Sequence, residues 1–454
     1  MDDSSQLVGK PHPGTRGGGV PLKDPLPMVL HVPTAPHRPG TSCSATTFTQ
    51  QPSDLPRPST LASHEELRAH AAGLIRVLND EGQAEGAWEP HLNPQQLRSG
   101  LEMMLRARHL DARMIAMQRQ GRLSFYVSSK GEEAAAVAGA SAFLHDDLLF
   151  PSYRQPGLML VRGMPMVTMI CQSIGNVGDN ARGRQMPVHY SWRAGNVVSI
   201  SSPVGTQFPQ AVGAAMAFAY RGERKVVGTW IGDGTASQGD FHHALNFASV
   251  FRPPCVLHVV DNQWAISTHR SLATGGATFA GRAEAYRLPG LRVDGNDYLA
   301  VYAAESWATE RARRGGGPTL IELVTYRRDA HSTSDDPSQY RSAEESDRWP
   351  GGDPIERLKR HLVAIGEWSE ESHVELNKAL EREAAAAFET AESFGTTARG
   401  LGHTAEAMFE DVYVTMPAQL KAQRDELRGE VNGAQGADEP AILPFEDVVL
   451  KLAG

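Results

Sequence analysis

Cysteine is nearly missing from this chain, which has three in 454 residues, at Cys43, Cys171 and Cys255. Odd in number and far apart, they exclude a disulfide framework and a thiolate metal cluster, and leave plain thiols in a reducing compartment. No apolar run is long enough to cross a bilayer, and the amino terminus lacks the apolar core of a signal peptide. A cytoplasmic protein, or one with an atypical transit peptide, is the expectation. Excess positive charge is also missing: a formal net charge of −9 removes the electrostatic case for nucleic acid. Residues 1–60 are short of apolar side chains and rich in Pro, Gly, Ser and Thr. Such an arm cannot bury much surface, so it is expected to be mobile or draped over a partner.

What is present is organised around residues 225–268. Residues 225–231, KVVGTWI, form an apolar, β-rich run that breaks at Gly232-Asp233-Gly234, as a buried strand ending in a tight turn does. Residues 240–251 place Phe241, Leu245, Phe247, Ala248 and Phe251 at helical spacing, and Pro253-Pro254 stops them. Residues 255–260 read as a second buried strand, halted at Asp261-Asn262. A strand-helix-strand unit implies a parallel, right-handed pair. Asp233 and Asn262, 29 positions apart, then fall at the carboxyl ends of neighbouring strands. Strands about 4.8 Å apart let two oxygen ligands share one ion at about 2.0–2.1 Å, a distance that suits Mg²⁺. A carboxylate, an amide and the backbone carbonyl of Trp264 leave part of the octahedron for phosphate oxygens, and Gly232 and Gly234 let a diphosphate approach the backbone. Gly-Asp-Gly by itself is also a common turn; the second strand with its Asn is what favours a metal site.

With these residues in place, the chain resembles the thiamine-diphosphate enzymes, and its wording is similar to the α subunit of branched-chain 2-oxo acid dehydrogenase complexes. The likeness spans residues 97–416. It includes Ser124-Phe125-Tyr126, Gly131-Glu132-Glu133, Tyr153-Arg154, Ser201-Ser202-Pro203-Val204-Gly205-Thr206-Gln207 and His331-Ser332-Thr333-Ser334-Asp335-Asp336. The resemblance implies an α/β fold with a mostly parallel, doubly wound sheet flanked by helices, and helical extensions at both ends. It implies thiamine diphosphate held by Tyr153, Arg154, Ser202, Val204, Asp233, Gly234, Thr235, Asn262 and His331, with Mg²⁺ on Asp233, Asn262 and the Trp264 carbonyl. A potassium ion would sit on Ser201, Pro203, Thr206 and Gln207, whose oxygens otherwise read as helix capping. Phe125, Tyr153, Val204 and Ser332 would line the substrate pocket, although Phe125 alone reads equally as a core aromatic. His331 would contact the cofactor and serve in passing the acyl unit to lipoamide; the serine matching Ser332 is phosphorylated in animal relatives. Glu132 and Glu133 read as helix-start residues favoured by the dipole, with a structural role. Two departures stand out: Val260 replaces an arginine of animal relatives, and Trp264 replaces a tyrosine.

The expected layout is a flexible arm over residues 1–60, a helical extension over 61–125, the cofactor-binding domain over 126–350, packed helices over 351–427 and a loosely held tail over 428–454. Helices are expected from Ser63 through Asp80 and from Pro94 to Met117. A further strand-helix-strand unit is expected over residues 291–325. No second domain that presents a glutamate to the aminopyrimidine is visible. The resemblance therefore implies a separate β subunit in an α₂β₂ assembly, a lipoyl-bearing transacylase as acyl acceptor, a small 2-oxo acid as substrate, and neither nucleic acid nor membrane as partner. The alternatives are a pyruvate or acetoin dehydrogenase α subunit, or a noncatalytic scaffold of the same fold.

Overall fold

Five parallel strands carry the rest of the chain: β1 (Leu148–Phe150), β2 (Val227–Gly232), β3 (Cys255–Asp261), β6 (Gly290–Asp294) and β7 (Thr319–Val324), with a small antiparallel pair, β4 (Trp264–Ala265) and β5 (Thr268–His269), between them in sequence. The order across the sheet is β1-β2-β3-β7-β6. A computed structural model describes residues 52–396 and 405–434, so the first 51 residues of the expected arm, Cys43, and the expected tail beyond residue 434 lie outside the described residues. All described residues belong to one compact unit.

β2 and β3 pair in parallel from Val227↔Cys255 to Gly232↔Val260 and are joined by the helix Gly239–Phe251, the unit expected from sequence. The chain then crosses to the far edge at β6 and returns through the helix Tyr298–Arg313 to place β7 between β3 and β6. Strand order therefore reverses beside β3, and ligands of such sheets bind beyond the carboxyl ends at that point. Helices cover both faces, which explains why β3 and β7 are buried along their whole length. Cys255, Leu257 and Val259 meet the helices Gln207–Arg221 and Gly239–Phe251, whereas Val256 and Val260 join the core on the other face. Alternation of side chains along a strand produces this division.

The alanine-rich helix Glu133–Ser141 is buried in all but its last residue and packs close to the sheet, where an added Cβ at Gly139 would stand 3.5 Å from Trp230. Small side chains bring its amino terminus against the end of β3. Among the described residues no helix is long and apolar enough to cross a membrane.

One expectation fails. The helix expected from Ser63 covers only Arg68–Ala72, and Gly73 to Val77 leave it. Ile75 instead pairs with β6: its N–H donates to Arg292 O at 2.8 Å and its carbonyl accepts from Asp294 N at 2.9 Å. An open sheet edge offers these bonds, and Gly73 with β-branched Ile75 and Val77 favours taking them over continuing a helix. The segment 77–78 is held further by Asp297, whose Oδ2 accepts from Val77 N and Leu78 N at 2.8 and 2.6 Å.

Arg357, on the helix Pro354–Ala364, closes this corner. It donates to Asp294 at 2.7 Å, to Leu78 O at 3.0 Å and to Asp297 at 3.4 Å, all buried. Arg357→Met removes the cation but keeps the stem, leaving Asp294 with Arg76 at 3.8 Å as its counter-charge and Asp297 with backbone N–H groups alone. Chemical denaturation should show a loss of about 3–5 kcal/mol. A loss under about 1 kcal/mol, the range of an exposed pair, contradicts the assignment.

Candidate active site

At the carboxyl edge of β2 and β3 lies a cavity of about 500 Å³. It is lined by Phe125, Tyr153, Arg154, Ser202, Val204, Asp233, Gly234, Thr235, Asn262, Trp264 and His331, which the sequence had placed in one site from separate stretches. The segment leading into it is tied down from behind by Asp111 of the helix Pro94–Arg119, which accepts from Ser129 N, Ser129 Oγ and Tyr126 Oη at 2.7, 2.7 and 2.8 Å.

Asp233 directly follows β2, and its N–H donates to Val260 O of β3 at 3.1 Å. Asn262 directly follows β3. Both are buried. Asp233 Oδ1 accepts from Gly234 N at 2.8 Å, while Oδ2 is buried with no partner among the described residues. Burial, and then the charge of Asp261, push the Asp233 carboxyl well above the usual carboxylate range. A divalent cation would satisfy that oxygen and reverse the penalty on charging it, so the donor set fits the expected metal. A Cβ at Gly234 would collide with Ala265, which keeps the backbone beside Asp233 bare for a phosphate.

The orientation of Asn262 is set by Glu132, whose Oε1 accepts from Asn262 Nδ2 at 2.7 Å. Its amide oxygen is thereby turned away and, among the described residues, accepts only from Trp264 N, at 3.2 Å. Glu132 is buried, with Arg154 Nε 3.6 Å away, and burial pushes its carboxyl up to about 7. The structural reading of this residue is therefore incomplete, because Glu132 lines the cavity. The same reading holds for Glu133, which is buried against Arg108 at 2.6 Å.

Arg154 Nη2 donates to His331 O at 2.9 Å and meets His331 Nδ1 at 3.1 Å, and Nη1 donates to Ser128 O at 2.5 Å. Because a guanidinium only donates, His331 Nδ1 accepts and the imidazole proton sits on Nε2. Burial and then the charge of Arg154 lower the His331 pKa to about 3. An imidazole held this low is neutral near pH 7, with its Nε2–H free to donate. Its loop is pinned: His331 N donates to Asp335 at 2.7 Å, and Thr333 and Tyr126 exchange bonds at 3.0 Å.

Ser332 does not join the central cavity. It lines a separate cavity of about 550 Å³ with Tyr126, Arg328 and Arg341, since it faces away from its neighbour His331. The Trp264 carbonyl, expected on the metal, already accepts from Arg327 Nη1 at 2.9 Å, so one lone pair remains for an ion. Ser201, Pro203, Thr206 and Gln207 lie outside the cavity wall but gather nearby. Thr206 Oγ1 is 2.8 Å from Ser201 Oγ and 3.1 Å from Pro203 O, and Gln207 Oε1 is buried without a partner. An oxygen-only set with one orphaned member fits a hard monovalent cation.

Three lining or bracing residues carry no signal in the sequence. His189 stacks on Tyr153 with ring centroids 6.1 Å apart and meets Ser202 Oγ at 2.9 Å. Arg327, buried beyond β7, ties Trp264 O, Ile266 O and Tyr340 Oη together. Met186 lies on the rim.

Residues 101–398 match the family described as dehydrogenase E1 component. The chain is 48% identical over 408 residues to a 2-oxoisovalerate dehydrogenase subunit alpha of Pseudomonas aeruginosa, covering 89% of this chain and all of that protein. It is 42% identical over 357 residues to a 3-methyl-2-oxobutanoate dehydrogenase subunit alpha of Mycobacterium tuberculosis, covering 77% of this chain and 91% of that one. A mitochondrial 2-oxoisovalerate dehydrogenase subunit alpha of Bos taurus is 41% identical over 356 residues, covering 78% and 77%.

Glu132→Leu frees the Asn262 amide to rotate. Mg²⁺ affinity should fall about 10- to 100-fold with the circular dichroism spectrum retained, and an unchanged affinity contradicts the positioning role. A raised Asp233 pKa makes the proton a competitor of the ion: protonation dominates below that pKa and deprotonation above it. Calorimetry should show Mg²⁺ binding weakening from about pH 8 to about pH 6 with protons released on binding; pH-independent affinity contradicts this.

Proposed function

The chain belongs to the dehydrogenase E1 component family, and on that footing we propose that it is the α subunit of a branched-chain 2-oxo acid dehydrogenase. It acts with a β subunit, inside a multienzyme complex, in the thiamine-diphosphate-dependent oxidative decarboxylation of branched-chain 2-oxo acids. The observation that carries the site assignment is the orphaned Asp233 Oδ2 beside Asn262 at the carboxyl edge of two paired strands.

When bound, thiamine diphosphate supplies the carbanion that adds to the 2-oxo group and the electron sink that makes loss of CO₂ feasible. The residues of this chain bind and orient. Asp233 and Asn262 would hold Mg²⁺, with the Trp264 carbonyl able to contribute its free lone pair. Arg154, with one Nη1 hydrogen unused and Nε 3.6 Å from Glu132, would donate to the phosphates, and Gly234 and Thr235 would receive them on the backbone. Tyr153, Ser202 and Val204 hold the cofactor's flank. Phe125, Tyr153 and Val204 present apolar surface to the branched tail, and Ser332 acts only through the loop it shares with His331. His331 offers its Nε2–H as a fixed donor to a substrate or acyl oxygen during transfer to a lipoyl-bearing transacylase. K⁺ on Ser201, Pro203, Thr206 and Gln207 would brace the turn that carries Ser202 and Val204.

Two features favour completion by the β subunit, which we place in an α₂β₂ assembly. Of the carboxylates that line the cavity, Glu132 is taken by Asn262 and Asp233 by the metal, so none remains for the aminopyrimidine. The rim also leaves Met186, Val204 and Ile266 exposed by 52, 40 and 54%, apolar surface that a partner would cover.

The isolated chain should not decarboxylate any 2-oxo acid, and adding the β subunit should restore turnover; full activity from the α chain alone would refute the division. In the assembled enzyme kcat/KM for 3-methyl-2-oxobutanoate should exceed that for pyruvate by at least about tenfold. Equal values, or a preference for pyruvate, would overturn the substrate class.

A further inference from the structure

We propose that a second cavity, at the amino-terminal edge of the sheet and opposite to the catalytic edge, binds the oxyanion of a phosphate-bearing small molecule through Arg311 and Arg252, with Arg287 at its mouth. The cavity measures about 580 Å³ and shares no lining residue with the catalytic one. Arg252, Pro289 and Pro318 on its wall each stand just ahead of a strand, before β3, β6 and β7 respectively.

Arg311 is the anchor. It is 4% exposed, on the last turn of the helix Tyr298–Arg313. Its Nη1 donates to Thr60 O and Ala62 O, both at 2.8 Å, while Nε is buried with no hydrogen-bond partner among the described residues. Among the described residues no carboxylate lies within ion-pair distance of Arg311 or of Arg252. A buried cation without a counter-charge is costly, and carbonyl dipoles with the Trp307 ring, 5.7 Å from the guanidinium, relieve only part of that cost. Burial, and then the nearby charge of Arg252, lower the Arg311 pKa to about 10, the direction a missing anion produces.

The second guanidinium is held in place by backbone. Arg252 ends the helix Gly239–Phe251 in a left-handed conformation at φ 47° and donates to Gly316 O at 3.3 Å. An added Cβ at Gly316 would stand 2.6 Å from Arg311 Cγ and 3.0 Å from Thr60 O, so only glycine lets this loop lie against Arg311. Arg287, also left-handed at φ 53°, is largely exposed and 3.8 Å from Glu65. Glu65 is the one carboxylate on the wall, and it also meets His64 at 3.0 Å. Three guanidiniums against a single carboxylate leave the cavity positive. Planar forks of this kind match phosphate oxygens. The volume exceeds what a bare anion needs and lies within the range of small-molecule sites, and Leu61, Leu288, Pro289 and Pro318 offer apolar wall for an organic remainder.

The test uses the assembled α/β enzyme saturated with thiamine diphosphate and Mg²⁺, so that the catalytic phosphate positions are filled. Inorganic phosphate and AMP are titrated by calorimetry against potassium chloride at equal ionic strength. Saturable binding of either, at one per α chain, is expected. In Arg252→Gln/Arg287→Gln, both at exposed positions, affinity should drop at least tenfold with decarboxylation unchanged. Tighter binding of AMP identifies an ester as the occupant, and tighter binding of phosphate identifies the free anion; either order supports the site. Saturation by neither probe, or binding that the double variant leaves intact, overturns it.

Discussion

A carboxylate oxygen that no protein group satisfies, buried at the end of β2, is the constraint on which this structure turns. An uncompensated Asp233 Oδ2 disfavours the ionised form of its own side chain. The arrangement makes sense once an ion shares the charge, and the neighbouring groups serve that end. β2 and β3 run side by side so that Asp233 and Asn262 emerge together. The helix Glu133–Ser141 packs tightly through alanines so that Glu132, at its start, reaches the Asn262 amide. Gly234 is bare because Ala265 occupies the space a side chain would need.

Around this point the electrostatics separate into two sides. Toward the sheet lie carboxylates whose pKa values burial raises: Glu132, Asp233, Asp261 and Glu322. Toward the loops lie guanidiniums, Arg154 and Arg327, which add to burial in keeping His331 neutral, and Arg154 holds its proton on Nε2. A metal diphosphate is an anion carried on a cation, and the proposed function would seat it between two such layers. With both cavity carboxylates already committed, the half-site calls for a base from another polypeptide, in keeping with the β subunit that the family uses.

Much of this was legible in the sequence because it rests on local signals. The run that breaks at Gly232-Asp233-Gly234, the proline stop after Phe251 and the halt at Asp261-Asn262 each report a boundary by side-chain chemistry alone, and the helix Tyr298–Arg313 begins and ends where its pattern does. What escaped depends on contacts between distant stretches. Ile75 left a helical pattern because the edge of β6 offered backbone partners that no local window contains. Glu132 looked like an ordinary helix-start acid, and its bond to Asn262 spans 130 positions. Arg327 and His189 carry no spacing signal, since their partners are backbone carbonyls and a ring brought together by folding. Ser332 was placed in the substrate pocket by the family resemblance, yet it lines a different cavity from its neighbour His331.

The central claim is that one divalent ion bridges Asp233 and Asn262. Crystals of the assembled enzyme grown with Mn²⁺ and thiamine diphosphate measure this directly through anomalous scattering. The account predicts a single strong peak within about 2.0–2.3 Å of both Asp233 Oδ2 and Asn262 Oδ1. A peak bound to only one of them, or metal found elsewhere while the cofactor occupies the cavity, would contradict it.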